Sequence, residues 1–76
     1  MKLSELPTGK TGTVSTVGGE GALRLRLLDM GLTPGVRVRV EKTAPLGDPV
    51  QLALRGYLLT LRREDAERIT LREERV

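Results

Sequence analysis

Residues 21–40 constrain the fold of this chain more than any other stretch, because they encode a helix, its stop signal, a tight turn and a strand in direct succession. Leu23, Leu27 and Met30 recur at the i, i+4, i+7 spacing of an amphipathic α-helix, which places them on one narrow face. We expect that face to be buried. The sequence therefore predicts a helix over residues 21–30 with its apolar side toward a core.

Two glycines after this helix predict how the chain leaves it. Gly31 stands where a helix needs a left-handed residue to stop, and Leu32 can fold back onto Leu27 in a Schellman cap. Pro34 and Gly35 occupy the second and third positions of a four-residue type II turn, where proline presets φ and glycine supplies φ > 0. Because the cap needs φ > 0, replacing Gly31 by alanine is expected to cost roughly 1 kcal/mol.

A period of two identifies the segment after the turn as a strand. Val36, Val38 and Val40 alternate with Arg37 and Arg39, so we expect the valines to point inward and the arginines to face water. Alternation or β-branched composition predicts further strands at residues 11–17, 50–54, 57–61 and 69–71.

The connections between these strands carry their own signals. Residues 41–49 contain two prolines and a glycine and predict a stiffened loop. A hairpin turn is expected near Arg55 and Gly56, between two alternating runs. Residues 62–68 predict one helical turn, and residues 72–75 a solvated end.

The order of these elements predicts the fold class. It is mainly β, a small, strongly bent antiparallel barrel of about five strands, with one inserted α-helix and a short C-terminal helical turn. A parallel sheet would need crossover connections of a dozen residues or more, and only one connection here is long enough. We expect a single domain over residues 1–76, with the helix packed across one opening of the barrel.

Composition excludes several function classes. The chain has 76 residues and a formal charge of +3, and it contains no cysteine and no histidine. Thiolate chemistry, disulfides and the commonest metal ligand are therefore absent, and we expect neither an enzyme nor a cofactor. Tyr57 is the single aromatic residue, which leaves little for base stacking. No run is long enough to span a bilayer and no signal-peptide pattern begins the chain, so we expect a soluble, cytoplasmic protein.

Several motifs have simpler structural explanations than functional ones. Residues 4–11, SELPTGKT, end like a phosphate-binding P-loop, but Ser4 replaces its first glycine and a strand rather than a helix follows. The glycines in residues 18–21 could hold an anion at a helix start, yet they also simply let a strand turn into a helix. The acids of residues 64–67 fit a solvated helical face better than a cation site.

One alternative stays open at this point. Residues 9–14, GKTGTV, resemble the glycine-containing turn of KOW modules, small barrels of ribosomal and transcription proteins. If that resemblance carried the function, the chain would bind RNA, and the binding would weaken steeply with salt.

Leu25 and Leu28 depart from the amphipathic pattern of the central helix. They are one turn apart, and they project more than about 90° away from the Leu23, Leu27 and Met30 stripe. If both are exposed beside Arg24, they form an apolar spot with a charged edge, as partner surfaces often do. The alternative is that the two leucines pack under a loop, and the sequence leaves both interpretations open.

Taken together, four stretches resemble the FeoA family, small accessory proteins of bacterial ferrous iron uptake. They are residues 22–40 (ALRLRLLDMGLTPGVRVRV), 44–50 (APLGDPV), 55–57 (RGY) and 61–69 (LRREDAERI), in the right order over nearly the whole chain. The helix and turn signature comprises Leu27, Met30, Gly31, Leu32, Pro34 and Gly35, with Leu23 on the same buried face. Pro45, Gly47 and Pro49 match the family's loop, and Ala66 and Ile69 match its closing segment.

The resemblance implies an SH3-like barrel that works with FeoB, a membrane transporter whose cytosolic part carries a G-protein domain. Since the signature residues are scaffold by their pattern, the surface left for this partner is the outward helix face and the proline loop. Its candidate residues are Arg24, Leu25, Leu28, Pro45, Leu46, Gly47 and Asp48. We expect no nucleic acid, no direct membrane insertion, and a monomer or weak homo-oligomer.

The same domain resembles the C-terminal SH3-like module of iron-dependent repressors, a resemblance that links it to transition metals. This sequence has no histidine or cysteine to hold such a metal, so a metal role would have to be weak or shared with a partner.

We therefore predict no tight iron or zinc site within one chain. Calorimetric titration of the purified protein with ferrous iron or zinc should give no stoichiometric micromolar binding, because imidazole and thiolate ligands are missing. A saturable micromolar site with one metal per chain would contradict this prediction.

Overall fold

The computed structural model describes residues 1–72, in which five strands and two short α-helices follow the predicted order. The strands and helices are β1 (Thr11–Val17), α1 (Gly21–Asp29), β2 (Arg37–Thr43), β3 (Val50–Leu54), β4 (Tyr57–Leu61), α2 (Arg63–Ala66) and β5 (Ile69–Arg72). Single 3-10 turns add Leu3–Glu5 and Pro45–Gly47. None of the helices in this part of the chain is long and apolar enough to cross a membrane.

The strands form one sheet in the order β4-β3-β2-β1-β5, and every neighbouring pair is antiparallel. The antiparallel prediction is therefore confirmed. Bulges interrupt the pairing of β1 with β5 and of β2 with β3. Such bulges bend a strand and increase its twist, which lets a five-stranded sheet curl around a small core.

The inward positions of these strands build the core. Leu27 is the one fully buried residue of α1, and Leu23 and Met30 pack against the core from its sides. Val36, Val38 and Val40, which the sequence assigned to inward positions, are buried. Other strands and α2 add Val14, Leu52, Leu61, Ala66 and Ile69. No charged or polar side chain is buried among residues 1–72, so the side chains of this core interact by apolar packing.

The stop signal of α1 forms as predicted. Gly31 has φ +100°, its N–H donates to the carbonyl of Leu28 at 3.0 Å, and the N–H of Leu32 donates to the carbonyl of Leu27 at 3.2 Å. These two bonds define a Schellman cap, and Leu27 and Leu32 are both fully buried beneath it. The helix therefore ends at its predicted C-cap, Met30.

Two turns also match their sequence signals. Gly35 has φ +93° and the N–H of Val36 donates to the carbonyl of Thr33 at 3.1 Å, as a type II turn requires. Arg55 and Gly56 both have positive φ, +47° and +84°, which is the type I′ geometry of a two-residue hairpin.

The loop prediction for residues 41–49 is wrong at its start. Strand β2 continues to Thr43, where it pairs with Val50, because a bulge at Val40 and Lys42 lets the ladder go on past the regular alternation. The loop itself contains a 3-10 turn that the two prolines did not predict. The predicted solvated end at residues 72–75 lies, apart from Arg72, outside the described residues.

A tyrosine across the sheet holds the end of α1 in place. The hydroxyl of Tyr57 donates to the carbonyl of Met30 at 2.6 Å, and this carbonyl is one of the last in the helix. A Cβ added at Gly31 would overlap the Tyr57 hydroxyl, so the position is restricted by space as well as by φ.

We therefore expect Gly31→Ala to cost about 2 kcal/mol, more than the φ argument alone gave. Roughly 1 kcal/mol comes from left-handed φ and about 1 from displacing the Tyr57 hydroxyl and losing its hydrogen bond. In a Tyr57→Phe background the same change should cost only about 1 kcal/mol, because the overlapping oxygen is gone. Urea unfolding of the four proteins measures both values, and equal costs in the two backgrounds would contradict the overlap.

Candidate partner-binding surface

Leu25 is the exposed leucine of α1. Its side chain keeps 60% of its accessibility. It lies two residues from the buried Leu27, roughly 200° around the helix, so it points away from the core. The prediction that Leu25 faces outward is confirmed.

The corresponding prediction for Leu28 is wrong. Leu28 is half-buried, and it packs against the core together with Leu23 and Met30. Leu28 lies roughly 100° from Leu27 and outside the narrow stripe, but the core extends far enough around α1 to contact it. Leu25 and Leu28 therefore form no shared exposed spot.

Arg24 is a link between α1 and the sheet. Its Nε donates to the carbonyl of Val17, the last residue of β1, at 3.2 Å. This bond helps to hold the start of the helix beside the strand that precedes it. Arg24 is exposed, but its guanidinium already donates to a backbone carbonyl within the chain.

The proline loop presents the most exposed apolar residue of the described chain. Leu46 is 98% accessible and has φ +71°, a conformation that L-residues other than asparagine and aspartate seldom adopt. The N–H of Gly47 donates to the carbonyl of Ala44 at 2.9 Å, and the N–H of Ala44 donates to the carbonyl of Pro49 at 3.0 Å. The loop is thus closed on itself and holds Leu46 at its tip.

Asp48 joins this loop to α2. Its Oδ1 accepts a hydrogen bond at 3.0 Å from the N–H of Arg63, the first residue of that helix. The first N–H groups of a helix have no partner within the helix, so a carboxylate from elsewhere in the chain satisfies one of them. The proline loop is therefore braced against the end of the hairpin, close to β4.

Two open clefts share Thr60 of strand β4 in their lining. The first, which we call the helix–strand groove, has a volume of about 470 Å³ and lies between α1, β4 and α2. Its lining comprises Arg26, Met30, Thr60, Leu61, Arg62, Glu64 and Asp65. The second, the loop cleft, has about 350 Å³ and is lined by Lys42, Thr43, Ala44, Pro45, Pro49, Gln51 and Thr60.

Thr60 lines both clefts, so helix α1 and the proline loop border one continuous stretch of surface. The sequence pointed to both segments only because the remaining signature residues were assigned to the scaffold. It gave no sign of β4 between them, because the clefts arise from elements far apart in the chain. Leu58 on β4 is also 60% accessible and was not among the candidate residues.

The charges around the groove are arranged in pairs. Arg26 approaches Asp65 at 3.5 Å, and Arg62 approaches Glu64 at 3.9 Å. Pairs as exposed as the second contribute little to stability. Within residues 1–72 no cluster of histidine, cysteine, aspartate or glutamate could hold a metal ion. The surface therefore offers exposed leucines, backbone groups and arginine–carboxylate pairs.

Comparison with known proteins identifies the family. The family model for the FeoA domain matches residues 1–73. The chain belongs to the FeoA family. A curated relative of this FeoA-family chain is the Fe(2+) transport protein A/Fe(2+) transporter FeoB fusion protein of Porphyromonas gingivalis, which is 45% identical over 69 residues. The match covers 91% of this chain and 8% of the relative, so the chain spans less than a tenth of that protein.

Solved structures of FeoA proteins share the fold. The solution NMR structure of FeoA from Chlorobium tepidum is 49% identical with a TM-score of 0.85, covering 93% of this chain and 68% of that one. The crystal structure of Stenotrophomonas maltophilia FeoA complexed with zinc is 29% identical with a TM-score of 0.83, covering 95% and 89%. That protein is described as a procaryotic SH3 domain protein. The FeoA-type chain therefore has an SH3-like fold, as the resemblance implied.

The hydrogen bond from the N–H of Arg63 to Asp48 leads to a testable prediction. Asp48→Ala should destabilise the protein by about 1 kcal/mol, because the N–H of Arg63 loses its acceptor. Amide hydrogen exchange of Gly47 should become faster, since the loop that holds its hydrogen bond is released. Asp48→Asn retains a side-chain oxygen and is the matched control. Unchanged exchange at Gly47 in the alanine variant would show that the loop holds itself without the brace.

Proposed function

We propose that this chain is a non-catalytic accessory domain of ferrous iron uptake that binds the cytosolic part of a FeoB-type transporter. The observation that carries the proposal is the Porphyromonas gingivalis relative, whose name joins a transport protein A and a transporter FeoB in a single polypeptide. The family match favours this function over the nucleic-acid-binding barrel that residues 9–14 suggested.

The fusion supports a physical contact because covalent linkage changes the concentration that each partner experiences. Two modules on one chain meet at an effective concentration near millimolar when a short flexible linker joins them. At that concentration the two modules remain in contact even if their affinity is low. Where the two modules are separate chains, the surface of the FeoA-type domain has to supply the affinity that a linker would otherwise replace.

Two exposed leucines on firmly held elements can supply that affinity. Leu46 is fully accessible on a closed loop, and Leu25 lies on α1 one residue before Arg26, which lines the groove. Burying a leucine side chain contributes about 1.5–3 kcal/mol. Because the loop around Leu46 is already ordered, little conformational entropy is lost when it docks. The contact would modulate the transporter's GTP-linked uptake by binding one conformation of the transporter more tightly than another.

We therefore expect Leu46→Asp and Leu25→Asp each to weaken capture of the FeoB-type cytosolic fragment by about tenfold or more, and to reduce ferrous iron uptake in cells. Their melting temperatures should change little, because both side chains already lie in water. Thr16→Asp, an exposed position on β1 away from the loop, is the matched control and should leave binding intact.

Leu27→Ala is the second control, and it should lose binding only to the extent that it unfolds, since a buried leucine truncation costs roughly 2–5 kcal/mol. If the two aspartate variants remain folded, bind as the parent does and support normal uptake, the contact does not use these leucines. If the parent protein itself fails to bind the fragment, the proposed partner is wrong.

A further inference from the structure

Strand β4 has an outer edge that pairs with no other strand among residues 1–72. In the β3–β4 hairpin, Leu54 pairs with Tyr57 across a two-residue turn, and the register continues with Leu52 opposite Leu59. In such a hairpin these are hydrogen-bonded pairs, and they alternate with pairs that are not. The N–H and C=O groups of Leu58 and Thr60 therefore point away from β3, toward the open edge.

The opposite edge of the sheet, formed by β5, is covered by other residues of the chain. The N-terminal residues cover β5, because Lys2 bridges to Thr70 and the N–H of Leu71 donates to the carbonyl of Met1 at 2.6 Å. Proteins commonly cover their edges or place charges and prolines on them to prevent unwanted pairing. Strand β4 reads YLLTL and has neither a charge nor a proline. Its edge is thus left ready for a strand to pair with it.

The helix–strand groove contains residues of β4 and of α1, so it bears on what could pair with the edge of β4. Met30 and Arg26 of α1 line one wall, and Thr60 and Leu61 of β4 line the other. The hydrogen bond from Tyr57 to the Met30 carbonyl joins the two walls near the turn end of β4. An extended segment that pairs with the edge of β4 at Thr60 would therefore lie against Arg26 and Met30 of α1. This arrangement is the one in which peptides add to a sheet edge beside a helix.

The charges at the ends of β4 also argue against a second copy of this chain. Arg55 precedes the strand, and Arg62 and Arg63 follow it. Glu64 and Asp65, which also line the groove, pair with Arg62 and Arg26, so Arg55 and Arg63 are the arginines left for a partner's carboxylates. If two copies paired antiparallel through β4, the arginine at one end of each strand would lie opposite the arginines at the other end of its partner. Like charges in that position destabilise a strand pair. A segment with carboxylates flanking an uncharged stretch would be complementary instead.

We propose that an extended, acid-flanked segment of the FeoB-type partner adds to the outer edge of β4 as a sixth strand, inside the helix–strand groove. This proposal rests on the proposed function and names how and where the contact forms. Hydrogen bonds to Leu58 and Thr60 fix the register of the segment. The exposed side chain of Leu58 gives it an apolar neighbour on the outer face.

Amide hydrogen exchange with the FeoB-type cytosolic fragment tests the proposal directly. In the free protein the amides of Leu58 and Thr60 should exchange rapidly, while those of Leu59 and Leu61, which point to β3, are protected. Addition of the fragment should slow exchange at Leu58 and Thr60 by at least tenfold. Binding that leaves both amides fast would overturn strand addition and leave the proposed function standing.

A second test of strand addition removes one backbone N–H from the open edge of β4. Thr60→Pro removes an N–H that faces the open edge, a position where proline is tolerated in sheets, and should weaken binding about tenfold. Thr60→Val keeps the N–H and a similar shape, so it is the matched control and should bind as the parent does. Since 76 residues are within reach of chemical synthesis, an ester in place of the Thr60 amide removes the donor without the proline ring, should the proline variant fail to fold. The same ester weakens the Leu59 carbonyl as an acceptor, so its melting temperature is measured beside its binding.

The outcomes separate the two proposals. Loss of binding in the proline or ester protein but not in the valine protein supports strand addition. Normal binding in the folded ester protein, together with loss in Leu46→Asp, overturns it and leaves the leucine contact as the site. Absence of binding by the parent protein overturns the proposed function and strand addition with it.

Discussion

The end of helix α1 is the constraint on which the rest of this small protein depends. Gly31 adopts φ +100°, which lets Leu32 turn back under the helix and hydrogen bond to Leu27. Both leucines are thereby buried in the same core that the strands supply. The Tyr57 hydroxyl then binds the Met30 carbonyl from the far end of the sheet. One residue without a side chain thus allows the helix, the first strand after it and the last hairpin to meet.

Most of the fold could be predicted from the sequence because its decisive bonds are local. The cap at Gly31, the type II turn at Gly35 and the hairpin turn at Gly56 each close a ring of a few residues, and each needs φ > 0 where a glycine stands. Alternating valines then fix which side of a strand is inward. Signals of this kind need no knowledge of what lies across the core, so they could be recognised one segment at a time.

The candidate site was less predictable because it depends on which elements become neighbours. Leu28 was expected outside, yet the core reaches far enough around α1 to contact it. Strand β2 runs to Thr43 because β3 pairs with it there, a fact that no property of residues 41–43 indicates. The two clefts that share Thr60 exist only once the hairpin lies between the helix and the proline loop. The prominence of Leu46 likewise follows from how the loop closes rather than from its composition.

Scaffold and binding surface therefore use different residues in this chain, although both lie in the stretches that carry the family resemblance. The helix and turn signature is either buried, as Leu27 and Leu32 are, or shaped for backbone geometry, as Gly31 is. Leu46 does the opposite: it accepts an unfavourable φ and exposes its whole side chain, both of which work against the stability of a domain with so small a core. Such a residue contributes nothing to folding that another residue could not, and its full exposure on a braced loop is what the proposed contact with a partner would use. For the same reason, a loss of iron uptake on changing Gly31 or Leu27 would report on folding, whereas a loss on changing Leu46 would report on the contact itself.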